Sequence, residues 1–117
     1  MSKRGDIEFL KDVDEAIKRI MDYTYGIDYE DILEDTKTQD AVLRNMEIIG
    51  EAVKNTSSDF KQKHKKIEWK KIAGMRDKVI HFYFGVNWDI VWDVVNNKLP
   101  ILGEEIMKLL EEEVGGS

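Results

Sequence analysis

Arg76, His81 and Tyr83 stand in a fixed frame, R-x4-H-x-Y, inside the string Arg76-Asp77-Lys78-Val79-Ile80-His81-Phe82-Tyr83. These three types suit phosphodiester chemistry. A guanidinium offers a planar fork of donors that matches a phosphate. An imidazole moves protons near neutral pH. A phenol adds a hydroxyl that can hydrogen-bond or be modified. Cleavage of RNA by its own 2′-hydroxyl needs a proton taken from that hydroxyl and another given to the leaving oxygen; a histidine can do either. The phosphorane between them carries extra negative charge, which an arginine can stabilise. That chemistry needs no metal or other cofactor. The sequence shows no HxH, HExxH, CxxC or carboxylate cluster with ligand spacing.

The same residues have a structural alternative: a surface arginine in an ion pair, a hydrogen-bonded histidine near a helix end, and a packing tyrosine. The surroundings bear on the choice. Residues 61–81 carry 8 basic and 2 acidic side chains, against 8 and 15 in residues 1–60 and 2 and 7 in residues 82–117. The overall charge of −6 argues against a nucleic-acid coat protein. The basic stretch keeps a local RNA-facing patch open, with Lys70, Lys71, Lys78 and the adjoining Asp77 as candidate contacts. His64, among lysines, reads as solvent-exposed. Trp88 and Trp92, spaced i, i+4 among valines and isoleucines, read as core or interface. Glu47 and Glu51, also i, i+4, read as partners for Arg44, lysines or a neighbouring helix.

The elements that must position the frame are helical. Ile7, Leu10, Val13, Ile17 and Ile20 recur at three- and four-residue steps, predicting a first helix from about Asp6 to a stop at Gly26. Residues 27–35 read as a connector pinned by Tyr29, Ile32 and Leu33. A second helix is predicted from Asp35 or Thr36 to Asn55, with Val42, Met46, Ile49 and Val53 as its stripe. A third is predicted from Glu68 or Trp69 to about Phe84, burying Ile72, Met75, Val79 and Phe82. A fourth follows Asn87, and Pro100 opens the last. The expected fold is an all-α antiparallel bundle of four main helices plus a short one, one domain over residues 1–114, with 115–117 as a disordered tail. If the third helix is continuous, Arg76 and His81 lie about 140° apart around it. One such helix cannot easily aim both at one phosphate. Either the helix ends near His81, or a second copy completes the site.

Composition bounds the rest. The chain has 117 residues, no cysteine, 42% hydrophobic and 36% charged residues. No apolar run approaches the roughly 18 residues needed to cross a membrane. The charged N-terminus does not read as a signal peptide, and a cytoplasmic location is expected.

With these residues in view, the sequence resembles the HepT toxin family, the "domain of unknown function 86" group of the HEPN superfamily. Arg76-x4-His81-x-Tyr83 matches that family's frame. Arg44-Asn45-Met46-Glu47-Ile48-Ile49-Gly50-Glu51-Ala52, Trp69 to Arg76, and Asn87 to Pro100 resemble its other signatures, in order, over roughly residues 5–110. The resemblance implies a dimeric HEPN bundle acting as a metal-independent endoribonuclease, its cleft at the dimer interface. Arg76 and His81 take the catalytic positions. It also implies a minimal nucleotidyltransferase antitoxin of the MntA type, which transfers AMP to the tyrosine matched by Tyr83. The competing reading is a non-catalytic helical subunit of such a nucleotidyltransferase.

Overall fold

The structure of the chain, a computed structural model, describes residues 2–81 and 85–115, with backbone only at Ser2, Lys3, Arg4, Arg76, Ile80 and His81. Two long helices form its spine. Helix α1 (Ser2–Thr24) begins a turn earlier than the predicted Asp6, and Gly26 turns the chain out of it at a φ of 76°. That left-handed conformation suits a residue without a Cβ. Helix α3 (Thr36–Asn55) has the predicted bounds, its first turn capped by Asp35, whose carboxylate accepts from Thr38 N at 3.1 Å. Between them the expected connector folds as a short helix, α2 (Tyr29–Leu33). Asp28 and Asp31 cap each other's backbone there, a capping box with aspartate in place of glutamate.

The stripes of α1 and α3 face each other. Leu10, Val13, Ile20, Val42, Met46, Ile49 and Val53 are fully buried. Each such side chain contributes about 1.5–3 kcal/mol relative to exposure, so this seam drives the association. Its direction is fixed by a polar clasp. The Asp6 carboxylate, only 3% exposed, accepts from Ser57 N and Ser57 Oγ, both at 2.7 Å. Asp6 sits near the start of α1 and Ser57 just beyond the end of α3, so the two helices are antiparallel. Ser57 Oγ also accepts from Phe60 N at 3.2 Å, which caps α4 (Ser58–Lys63).

Two short helices, α5 (Trp69–Ala73) and α6 (Met75–Val79), then lead into an antiparallel two-residue ladder, β1 (Ile80–His81) against β2 (Gly85–Val86). It is the only β element among the described residues, and the fold class is all-α. Helix α7 (Trp88–Asp93) follows, capped by Asn87. A π-helical turn (Val94–Lys98) joins it to α8 (Leu99–Leu110), and a second π turn (Glu111–Gly115) ends the described chain. Instead of two helices separated at Pro100, the backbone is helical throughout from Trp88. The wider turn explains why: Leu99 N reaches back to Val94 O, and Pro100, which would otherwise crowd the carbonyl four residues before it, falls in the first turn of α8. The predicted tail is helical through Gly115; Gly116 and Ser117 lie outside the described residues.

Helix α8 packs on α1, where a Cβ on Gly103 would meet Ile17 at 3.4 Å. Its inward stripe is Leu99, Leu102, Ile106 and Leu109. No helix among the described residues is long and apolar enough to cross a membrane.

The Asp6 clasp yields a prediction. Asp6→Ala strands two donors of Ser57 and is expected to lower unfolding free energy by about 1–3 kcal/mol in urea titrations. A loss below a few tenths of a kcal/mol would show that water replaces the carboxylate without cost.

Candidate functional site

The segment bearing the frame is not the continuous helix expected from Glu68 to Phe84. It breaks first at Gly74, where φ is −85° and ψ −4° and a Cβ would crowd the Lys70 carbonyl at 3.3 Å. It resumes as α6, which carries the Arg76 and Asp77 backbone, and ends at Val79. Val79 is fully buried, as predicted, with Ile72 and Met75 nearly so. The chain then turns extended: Ile80 pairs with Val86 and His81 with Gly85, and Asn87 N closes the ladder on Val79 O at 2.8 Å. The reason is local. Val79 and Ile80 begin a run of β-branched and aromatic residues, which lose rotamer freedom in a helix and suit a strand. Gly85, at φ 83°, supplies the backbone conformation that brings β2 back. Arg76 therefore belongs to a helix and His81 to a strand. The helical offset between them no longer applies. The Arg76 and His81 side chains, and all of Phe82 and Tyr83, lie outside the described residues.

The exit of the ladder is held from a distant part of the sequence. Asn87 Oδ1 accepts from Ile90 N at 3.2 Å, starting α7. Within that first turn, Asp89 accepts a hydrogen bond from the Tyr29 hydroxyl of α2. The Tyr29 ring lies 6.2 Å from that of Trp92. The bond to Asp89, then partial burial, raises the Tyr29 phenol above its ordinary pKa. Trp88 and Trp92 pack against the core, as expected. Nothing in the sequence spacing signals the Tyr29–Asp89 pairing across 60 residues.

The basic stretch divides between two concavities. Lys70 borders a shallow cleft of about 520 Å³ with Lys61, Lys65 and Trp69. Lys78 borders a groove of about 470 Å³ on the side of α7 and α8. Lys71 borders both and pairs with Glu68 at 3.3 Å, both exposed, an arrangement worth little by itself. Asp77 is exposed beside Arg76 in sequence. Glu47, Glu51 and Arg44 border a third cleft, between α1 and α3.

His64 is not the exposed residue expected of a lysine-rich turn. It is half-buried, packs its ring at a tilt against Phe60 with 4.7 Å between ring centres, and offers its carbonyl to Trp69 Nε1 at 3.0 Å. Its Nε2 meets Glu113 Oε2 at 2.7 Å, and Lys63 Nζ meets the same oxygen at 2.9 Å. Since a carboxylate can only accept, Nε2 carries the proton. These bonds, Lys63 first and His64 second, hold the Glu113 carboxyl below the usual glutamate pKa. The last π turn is thereby fastened to the helix that leads into the basic segment.

The helical scaffold carries Arg76 near the start of one short helix and His81 on the adjoining strand. Comparison with known sequences gives the family. The HepT-like family, described as "Ribonuclease HepT-like", matches residues 13–109, and the chain belongs to it. "Putative RNase MJ0127" of Methanocaldococcus jannaschii is 44% identical over 115 residues, covering 98% of this chain and 95% of the relative. "Probable ribonuclease HepT" of Thermococcus cleftensis is 48% identical over 107 residues, 92% of this chain and 97% of the relative. "Putative RNase TTE0752" of Caldanaerobacter subterraneus is 41% identical over 105 residues, 90% and 94% respectively. No solved structure matches the chain.

The Glu113 cluster predicts a pH effect. A carboxyl whose folded pKa is depressed stabilises the fold above its unfolded pKa, about 4.3, and that contribution is lost as pH falls through the lowered folded value. Glu113→Gln is therefore expected to be less stable than the parent at neutral pH. The difference should narrow as pH falls below the unfolded value of about 4.3. Urea titrations across pH 3–7 check it; a gap unchanged down to pH 3 contradicts it.

Proposed function

We propose that the chain is a metal-independent endoribonuclease, the toxin of a HepT/MntA-type pair in the cytoplasm. Arg76 clamps the scissile phosphate and stabilises the phosphorane, and His81 moves the protons. The substrate approaches along Lys70 and Lys71, whose cleft also carries Lys61 and Lys65. Lys78 and Asp77 flank the clamp. What supports this reading, beside family membership, is the end of α6 at Val79. A continuous helix would hold Arg76 and His81 about 140° apart, whereas a helix-to-strand transition between them removes that obstacle. A second copy of the chain contributes the facing half of the cleft.

His81→Ala should reduce cleavage of total RNA in EDTA by at least about 100-fold, the usual worth of a general acid or base, with its melting temperature unchanged. Cleavage undiminished in that variant, or abolished by EDTA in the parent, refutes the reading. A tight complex with a nucleotidyltransferase and no cleavage by the parent would instead identify a non-catalytic subunit.

Tyr83 is the point of control in this reading. The antitoxin transfers AMP from ATP to the phenol oxygen, with pyrophosphate leaving. The added phosphate brings bulk and negative charge to a phosphate site and repels substrate. With the paired nucleotidyltransferase and radiolabelled ATP, Tyr83→Phe should lose label incorporation while His81→Ala keeps it. Equal labelling of Tyr83→Phe and parent places the modification elsewhere.

A further inference from the structure

The groove between α5–α6 and the run from α7 into α8 has a composition unlike the basic cleft beside it. Its floor is apolar: Ile72, Met75, Val94 and Leu102 each retain 7–9% exposure. At its edge Ile101 is 61% exposed, the most exposed aliphatic side chain among the described residues. Its rim bears Lys66, Lys71, Lys78 and Lys98 against Glu68 and Glu105, four positive charges to two negative. This excess stands out in a chain of net charge −6. The π turn Val94–Lys98 contributes Val94 and Lys98 to one wall.

Two kinds of macromolecule carry the negative charge that such a rim attracts. Single-stranded RNA asks for aromatic or guanidinium planes on which bases stack. Among the described residues none lines this groove; the aromatic Trp69 borders the other cleft. An aliphatic floor bordered by ammonium groups suits a protein segment instead. Its apolar face fills the floor, and carboxylates on either side meet the rim.

We propose that this groove docks an amphipathic helix of a partner protein. Apolar side chains at i, i+3, i+4 and i+7 lie on the floor and against Ile101, and Asp or Glu side chains face Lys71, Lys78 and Lys98. The Lys71–Glu68 pair is exposed and exchanges partners at little cost. The docked helix lies against Met75 and Lys78, on either side of Arg76 and Asp77 in sequence, so a partner held here reaches the frame from its flank. The inference does not need the ribonuclease reading and holds for a non-catalytic subunit equally; Lys71 and Lys78 also stand beside the substrate path proposed above, whereas Lys98 and Ile101 border this groove and not the basic cleft.

The test is fluorescence anisotropy with a fluorescein-labelled 14-residue peptide, leucine at that spacing and glutamate at most other positions. A scrambled peptide of the same composition is its control. The full chain should bind the patterned peptide saturably. The scrambled peptide, and the double variant Lys98→Glu/Ile101→Glu, should each bind at least about tenfold more weakly. Both replaced side chains are exposed, and equal melting curves establish that the variant folds. Lys98→Gln, which removes charge alone, should weaken binding less and flatten its salt dependence. Absent binding, or equal binding of both peptides, overturns the proposal. Binding of a 12-nucleotide single-stranded RNA that the double variant weakens as much as it weakens the peptide assigns the groove to nucleic acid. A parent dimer that the double variant dissociates in sedimentation assigns it to a second copy. Either result also overturns the proposal.

Discussion

The seam between α1 and α3 is what the other elements rest on, and one buried carboxylate decides how it closes. Apolar burial alone would accept the two helices in several registers, since stripes of valine, leucine and isoleucine are tolerant of sliding. Asp6 is not tolerant. Placed where water is nearly absent, it must find donors, and Ser57 provides two. That requirement matches the first turns of α1 to the end of α3. Because the same serine caps α4, it also sets the direction in which the basic segment departs. The charged stretch is thus aimed through a contact between two residues 51 positions apart.

From there the chain reaches the frame through elements too short to be stable alone. Helices α4, α5 and α6 have five or six residues each, well below the length at which an isolated helix persists. They hold their shape because each buries an anchor: Phe60 in α4, Trp69 and Ile72 in α5, Met75 and Val79 in α6. A frame built this way is positioned by packing rather than by helical propensity. Its two ends are secured independently, one by Val79 in the core and the other by α7 through Asn87 and Asp89. The arginine is carried on one anchored piece and the histidine on the next.

How much of this was legible in the sequence follows from the range of the forces involved. The long helices were legible because their stripes repeat every three or four residues, and Asp35, Asn87 and Pro100 mark starts by local chemistry. The all-α class and the family followed from the same local patterns. An end to the helix near His81 was one of two alternatives that the frame's geometry left open, but the break at Gly74 and the strand pairing after Val79 were missed: one helical period fits Ile72, Met75 and Val79 equally well, while the competing β-tendency of the next residues is decided by pairing with Val86, a tertiary matter. The bonds of Asp6, of Tyr29 and of His64 span 51, 60 and 49 residues and left no trace in spacing. The residues of the R-x4-H-x-Y frame were legible as a motif, but the groove at α6 was not. Its walls come from segments that meet only after α8 has docked.

The antiparallel ladder has a consequence for the order in which the molecule comes into being. The ladder partners of Ile80 and His81, Val86 and Gly85, are downstream of them, as is Asn87, which closes on Val79. Helix α7 in turn is tied to α2, and its continuation α8 packs on α1, made first. On a ribosome, a chain that has just emitted the frame has its helical spine but not the strand that completes the frame, nor the helix that holds that strand. The backbone relation of arginine to histidine is closed by residues 85–87 and held in place once α7 meets α2 and α8 meets α1. A truncated product ending before α7 would carry the whole motif and both strands of the ladder, but not the helix that ties that ladder to α2.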